Sequence, residues 1–382
     1  MHFNLTAEQQ LLSDTVGRFL AKAYAFEARH KIVKSPEGWS REIWAQLAEM
    51  GLLALQVPEA HGGMAPAVVE TLLTMTALGK ALVVEPYLAS AVLGTALVRD
   101  LGTPAQAEAL LPALAAGEKI VVPAHGERGS RHDLSRVATA AARDGKGWVL
   151  RGRKSVVIHG QAADVLVVSA RTAGAVDAAA GISLFLVPRD SKGLTVTGYR
   201  TFDNQRAAEV VLDGVALPGD ALLGPEGGAF PGLSAAFDLG LAAICAEAVG
   251  SLQAALDTTI EYTKTRKQFG VPIAKFQALQ HRMADMLIHV EQARSMSFLA
   301  AMKAASADAG ERRRAVSAAK VVVGQACRFV GQQAVQLHGG MGVTDELAVS
   351  HHFKRLMAIE LSLGDTEHHL EQFVAAGAGR PA

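Results

Sequence analysis

The chain has 382 residues, half of them hydrophobic, and its 37 Lys and Arg balance 37 Asp and Glu to a formal net charge of zero. That length allows two or three domains with a sizeable core, and the balance offers no basic face, which argues against nucleic acid as a ligand. No charged-then-apolar signal opens the sequence and no uninterrupted apolar run reaches bilayer length, so a soluble, cytoplasmic protein without a membrane span is expected.

Residues 1–118 read as an all-helical domain. Thr6 followed by Glu8 and Gln9 predicts a cap for a helix whose stripe is Leu12, Val16 and Phe19 or Leu20. A helix from Ser40 ends at Gly51, and a loop follows through Pro58, Gly62 and Gly63. Apolar helices are predicted over Val68–Leu82 and Tyr87–Leu101. From 119 to 225 the period changes to short runs rich in Val, Ile and Leu, separated by Gly, Asp and Pro. They predict a central β domain, a small barrel or pair of sheets. From 226 to 382 the pattern is helical again and predicts a four-helix bundle. The fold class is therefore α+β. Cys245 and Cys327 lie in apolar helical runs and read as buried thiols.

The most informative stretch is Tyr262–Met286, "YTKTRKQFGVPIAKFQALQHRMADM". Tyr262 and Arg266, four apart, share a helix face. Gly270 and Pro272 break the helix, and Leu279, Met283, Met286, Leu287 and Val290 set the stripe of a second, long buried helix. An arginine at such a break suits a phosphate or pyrophosphate; a surface arginine beside two packed helices is the alternative. A second motif, "QLHGGMGVTDE" from Gln336 to Glu346, puts Gly339 and Gly340 where a backbone can approach a ligand closely, or where a helix is simply capped.

Both strings resemble the acyl-CoA dehydrogenase family, the first its "YxxxRxQFGxPI…Q…ADM" signature and the second its "QxxGGxGyt" segment. The helical–β–helical order agrees over essentially the whole chain. The resemblance implies an FAD-dependent enzyme acting on an acyl-CoA thioester, assembled as an oligomer, with an electron-transfer flavoprotein as acceptor. It carries FAD contacts onto Arg266, Gln268, Phe269, Gln336, Gly339, Gly340 and Thr366. An oxidase or hydroxylase of the same fold is a further alternative.

The family's chemistry needs a carboxylate beside the substrate α-carbon. Aligned through Arg355 and Thr366, the family's "YEGT" reads "LGDT" here, so Gly364 stands at the usual glutamate. The other known position, in a "DLER"-like segment, holds Gly240, and Leu241 replaces its arginine. Glu247, seven residues on, lies about 10 Å further along the same helix in an apolar surround without an evident partner, and is the expected catalytic base. An ion-paired glutamate is the alternative, and Asp365 a second candidate. The family's "TEPgaGSD" loop survives as Gly129 and Ser130, with Arg131 at its aspartate. Its "WITN" strand reads "VVIH", with Val156 and Ile158. This erosion, together with "GDTEHHL", resembles the small subunits of pimeloyl-CoA and steroid side-chain acyl-CoA dehydrogenases. It implies either a homotetramer or an α2β2 assembly with a second dehydrogenase-like chain. No metal site is expected: His351–His352 and His368–His369 are adjacent pairs, whose side chains diverge on a helix.

Overall fold

In the computed structural model, residues 5–64 and 66–377 are described. Helices α1 (Ala7–Ala23), α2 (Phe26–Lys34), α3 (Arg41–Glu49) and α4 (Val68–Ala81) come first. Thr6 caps α1 in a reciprocal box: the Gln9 amide donates to Thr6 Oγ1 (3.2 Å) and the Thr6 amide to Gln9 Oε1 (3.1 Å). Ser40 caps α3 through the Ile43 amide. The helix expected over Tyr87–Leu101 divides into a π-helical stretch, Tyr87–Gly94, and α5 (Thr95–Leu101). Gly94 lies so near the Val121 carbonyl that a Cβ would clash with it. Then comes α6 (Pro104–Ala115).

Strands β1 (Val121–Ala124), β2 (Ala140–Asp144), β3 (Gly147–Ile158), β4 (Val165–Arg171), β5 (Ile182–Pro188), β6 (Leu194–Arg200), β7 (Arg206–Leu217) and β8 (Leu222–Leu223) form one mixed sheet. Its order is β6-β7-β3-β2-β4-β5-β8, with β1 parallel to β4. The near-continuous apolar runs of β4 and β5 are buried on both faces, while the edge strand β6 alternates with exposed positions.

Helix α7 (Phe230–Thr265) leads to a hairpin of β9 (Lys267–Gln268) and β10 (Val271–Pro272), then α8 (Gln277–Ala304), α9 (Ala309–His338), α10 (Ala348–Leu361) and α11 (Thr366–Gly377). The expected last helix is thus two, and the four-helix count becomes five among the described residues. The break falls at Gly364, whose φ of +107° no other residue adopts without strain. By length and composition α7 could cross a membrane, contrary to the sequence expectation, yet 94% of its apolar window is buried in protein.

Contacts divide the chain into two compact units. One comprises Met1–Lys31, Val68–Val83 and Leu241–Ala382; the other, Ile32–Ala67 and Val84–Gly240. In the first, α9 packs on α8, α10 and α11, and α4 meets α7 where Gly79 and Gly250 leave no room for a Cβ. In the second, β1 packs on the π-helical stretch, and Trp148 stacks edge-on to Phe185 in the sheet core.

Candidate cofactor site and base positions

The α7–α8 connection is a tight antiparallel hairpin in which Val271 pairs with Gln268 and Pro272 with Lys267. Its two turn residues, Phe269 (φ +52°) and Gly270 (φ +80°), both take left-handed backbone, as a type I′ turn requires. Glycine does so freely; phenylalanine does so at a cost in strain, and its ring is left 90% exposed. Arg266 and Gln268 are exposed beside it, and the Arg266 guanidinium has no side-chain partner among the described residues.

Seventy residues on, α9 ends at His338, and Gln336, Gly339 and Gly340 are exposed there. A Cβ built on Gly339, Gly340 or Gly270 would meet nothing within 4 Å. The two motifs are joined by a stacked pair: the Tyr262 and His338 rings lie 4.3 Å apart at 26°, and the Tyr262 hydroxyl donates to the His338 carbonyl (3.3 Å). The His338 Nδ1–H donates to the Ala334 carbonyl, and Nε2 is buried without a partner among the described residues.

This constellation fits part of a dinucleotide. Arg266 offers a fork for a pyrophosphate, Gly339 and Gly340 an unobstructed backbone, and Phe269 a ring face for stacking. All of it is exposed. Thr366 stands apart: its amide and hydroxyl donate to Glu360 Oε1 (3.3 and 3.1 Å), and the hydroxyl lies over Gly324 of α9.

The premise behind Glu247 is corrected. It is buried as expected, but it has a partner: Arg355 of α10 grips it in a fork, Nε to Oε1 at 2.6 Å and Nη2 to Oε2 at 2.9 Å. Both oxygens are engaged by the guanidinium. The 108-residue separation of the two hid the pairing from local sequence reading. Asp365 is likewise committed. It precedes α11, and its Oδ1 accepts from the His368 amide (2.9 Å), the geometry of an N-cap.

Gly364 is held from several sides. Lys320, a fully buried lysine of α9, donates to the Glu360 carbonyl (2.8 Å) and the Gly364 carbonyl (2.5 Å). His369 Nε2–H donates to the Leu363 carbonyl (2.8 Å) and its Nδ1 lies 3.2 Å from the Ser317 hydroxyl. His351 and His352 do not converge: His352 bonds Ser251, while His351 lies between Arg29 and the Asp345 carbonyl. Among the described residues no three His, Cys, Asp or Glu gather to hold a metal.

In the sheet unit, the loop after β1 is built on an ion pair that sequence reading missed. Lys154 is wholly buried and donates to Glu127 Oε1 (2.6 Å), Ser169 Oγ (3.0 Å) and the His125 carbonyl (3.2 Å). Glu127 also accepts from the Ala138 and Thr139 amides. Burial alone would raise the Glu127 carboxyl, but Lys154 and the hydrogen bonds from Thr139 together outweigh it and hold it low; burial pulls Lys154 down to about 8 and His125 to about 3. The available signal was register: Lys154 shares the inward phase of β3 with Trp148 and Leu150. Ser130 is turned to the Glu127 backbone, Arg131 is exposed, and Val156 (φ +54°) and Ile158 present apolar surface.

The acyl-CoA dehydrogenase N-terminal domain matches residues 6–118, the middle domain 124–215 and the C-terminal domain 230–377. The chain belongs to the acyl-CoA dehydrogenase family. It is 31% identical to the probable acyl-CoA dehydrogenase YngJ of Bacillus subtilis over 377 residues, covering 96% of this chain and 97% of that one. Among solved structures it resembles butyryl-CoA dehydrogenase from Megasphaera elsdenii, with TM-score 0.89 and 27% identity over 99% of this chain and 100% of that one. It also resembles a chain of the ChsE4-ChsE5 complex from Mycobacterium tuberculosis, with TM-score 0.88 and 27% identity over the full length of both. As an acyl-CoA dehydrogenase family protein it is an oxidoreductase whose chemistry is dehydrogenation of an acyl-CoA.

Proposed function

We propose that the chain is an FAD-dependent enzyme that converts an acyl-CoA thioester to its 2-enoyl-CoA in acyl or side-chain catabolism, with an electron-transfer flavoprotein as acceptor. The supporting observation is the outward half-site: exposed Arg266, without a side-chain partner among the described residues, exposed Phe269 and the open backbone at Gly339 and Gly340, tied together through Tyr262 and His338. Arg266 would hold the pyrophosphate, Gln268 and Gln336 the polar edges beside it, and Phe269 a ring face. Bound FAD supplies a two-electron acceptor for the hydride leaving Cβ. Anaerobic addition of a panel of acyl-CoA thioesters to the purified flavoprotein tests this. Bleaching of the oxidised flavin with formation of the enoyl product is expected, and a flavoprotein that no thioester reduces would count against it.

A second reading, a non-catalytic subunit of an α2β2 dehydrogenase, is favoured by the glycines at both usual base positions and by the grip of Arg355 on Glu247. Glu247→Gln separates the two: a base there makes reduction disappear with FAD retained, whereas a structural glutamate leaves reduction in place in whatever fraction folds.

A further inference from the structure

The two turns that carry Arg266 and Gly339 are each tied to the helix end from which they spring. On α7, the Arg266 amide donates to the Tyr262 carbonyl (2.8 Å) and the Arg266 carbonyl accepts the Ile273 amide (2.8 Å), so the hairpin hangs from the helical turn that Tyr262 opens. On α9, the Gly339 amide donates to the Gln336 carbonyl. Gly342 then folds back so closely that a Cβ on it would stand 2.6 Å from the Val335 carbonyl and 3.1 Å from His338 Cβ. Tyr262 and His338 meet between these turns, with rings stacked at 4.3 Å and 26° and the Tyr262 hydroxyl on the His338 carbonyl. The His338 Nδ1–H donates to the Ala334 carbonyl (2.8 Å), which leaves Nε2 as an acceptor, buried with no partner among the described residues. Such an atom lowers stability rather than adding to it. Burial also holds the imidazole below its ordinary pKa, which favours the neutral ring. What His338 offers its neighbour is therefore a flat face, not a hydrogen bond from its outer nitrogen.

We propose that Tyr262 and His338 are positioning residues of the cofactor site: their stack sets the spacing between the Arg266 turn and the Gly339–Gly340 turn, and through it the affinity for the dinucleotide. This rests on the FAD reading above and adds to that site two residues that act through the turns they hold. Tyr262 lies one helical turn before Arg266, and His338 directly precedes Gly339, so slack at the stack reaches both turns at once. A guanidinium fork and an open backbone grip one ligand together only when their separation matches it. A shift on the order of 1 Å takes a hydrogen bond out of range. Two aromatic rings held face to face resist such a shift, and the hydroxyl bond from Tyr262 to the His338 carbonyl fixes their register.

The test follows FAD release from the flavoprotein as purified, with any chain that accompanies it. Flavin fluorescence on dilution gives the dissociation constant, and circular dichroism shows that each variant is folded. His338→Ala should weaken FAD by roughly tenfold, the upper end of what an aromatic pair contributes. Tyr262→Ala should do the same, and the double variant no more than either, because the pair acts as one unit. His338→Phe restores a flat ring and removes the orphan nitrogen, so it should recover most of the alanine loss; it also stands in should the alanine variant misfold. His338→Ala within about twofold of wild type, a loss that His338→Phe does not recover, or losses that multiply in the double variant overturn the positioning role and leave the FAD reading intact. Arg266→Gln is run alongside. FAD held equally by wild type and Arg266→Gln places the flavin away from these turns and overturns the reading of the site together with the proposal, as does a wild type that holds no FAD.

Discussion

Removing Arg355 would leave Glu247 as a buried carboxylate with no counter-ion, and losing one partner of such a pair costs about 3–5 kcal/mol. Arg355→Met should therefore lower the unfolding free energy by that amount, read from denaturant unfolding, and adding Glu247→Gln should recover much of it; a simple sum of the two losses would contradict the coupling. Buried histidines carry a separate expectation. Burial takes His125, His352 and His369 down to about 3. Between pH 6.5 and 3 the unfolded chain binds their protons and the folded chain does not, so stability is fully present above 6.5 and falls on acidification. The slope is up to about 1.4 kcal/mol per pH unit for each. Urea unfolding at pH 7, 6 and 5 measures it, and His352→Gln should make the dependence shallower by one histidine.

At the scale of elements, the helix break at Gly364 is a device of backbone geometry. Gly364→Ala should cost about 1–3 kcal/mol, since left-handed strain and the clash with His369 act together. Gly364→Glu should fail to raise turnover, because its side chain starts in volume already filled; a gain would show that the turn relaxes. How much of this could be read beforehand differs by element. The Thr6 cap, the helix beginning at Ser40 and the strand runs were legible, because caps and alternation are local patterns. The Glu247–Arg355 pair and the Lys154–Glu127 pair were not. Each joins residues far apart in sequence, and an ionisable residue in an apolar string looks the same with or without its partner. The stripe on α8 predicted a buried helix, yet Leu287 and Ile288 are 48% and 55% exposed; periodicity reports an apolar face but not which chain covers it.

For the whole molecule, that exposed α8 face and the exposed surface at Arg266 and Gly339 proposed to hold flavin belong to the same helical unit and make a joint demand. An apolar groove along α8 and α9, lined by Leu287, Ile288, Met296 and Val322, is costly to leave in water, and Arg266 and Phe269 hold little of a dinucleotide by themselves. If a second dehydrogenase-like chain, identical or not, completes both, losing the assembly releases the flavin. Arg266→Gln should weaken FAD by roughly 10- to 100-fold, the value of one or two charge-assisted hydrogen bonds, while leaving the solution mass unchanged. Leu287→Glu lies outside the flavin motifs, yet it should lower the mass and release flavin in step. Sedimentation with absorbance at the flavin band reads both quantities in one run. Flavin that stays bound to a Leu287→Glu monomer would mean that one chain suffices for the cofactor, and the α8 face would then need another explanation. Full flavin in a homotetramer of this chain alone favours the self-sufficient enzyme; flavin acquired only on adding a different dehydrogenase-like chain favours the α2β2 assembly.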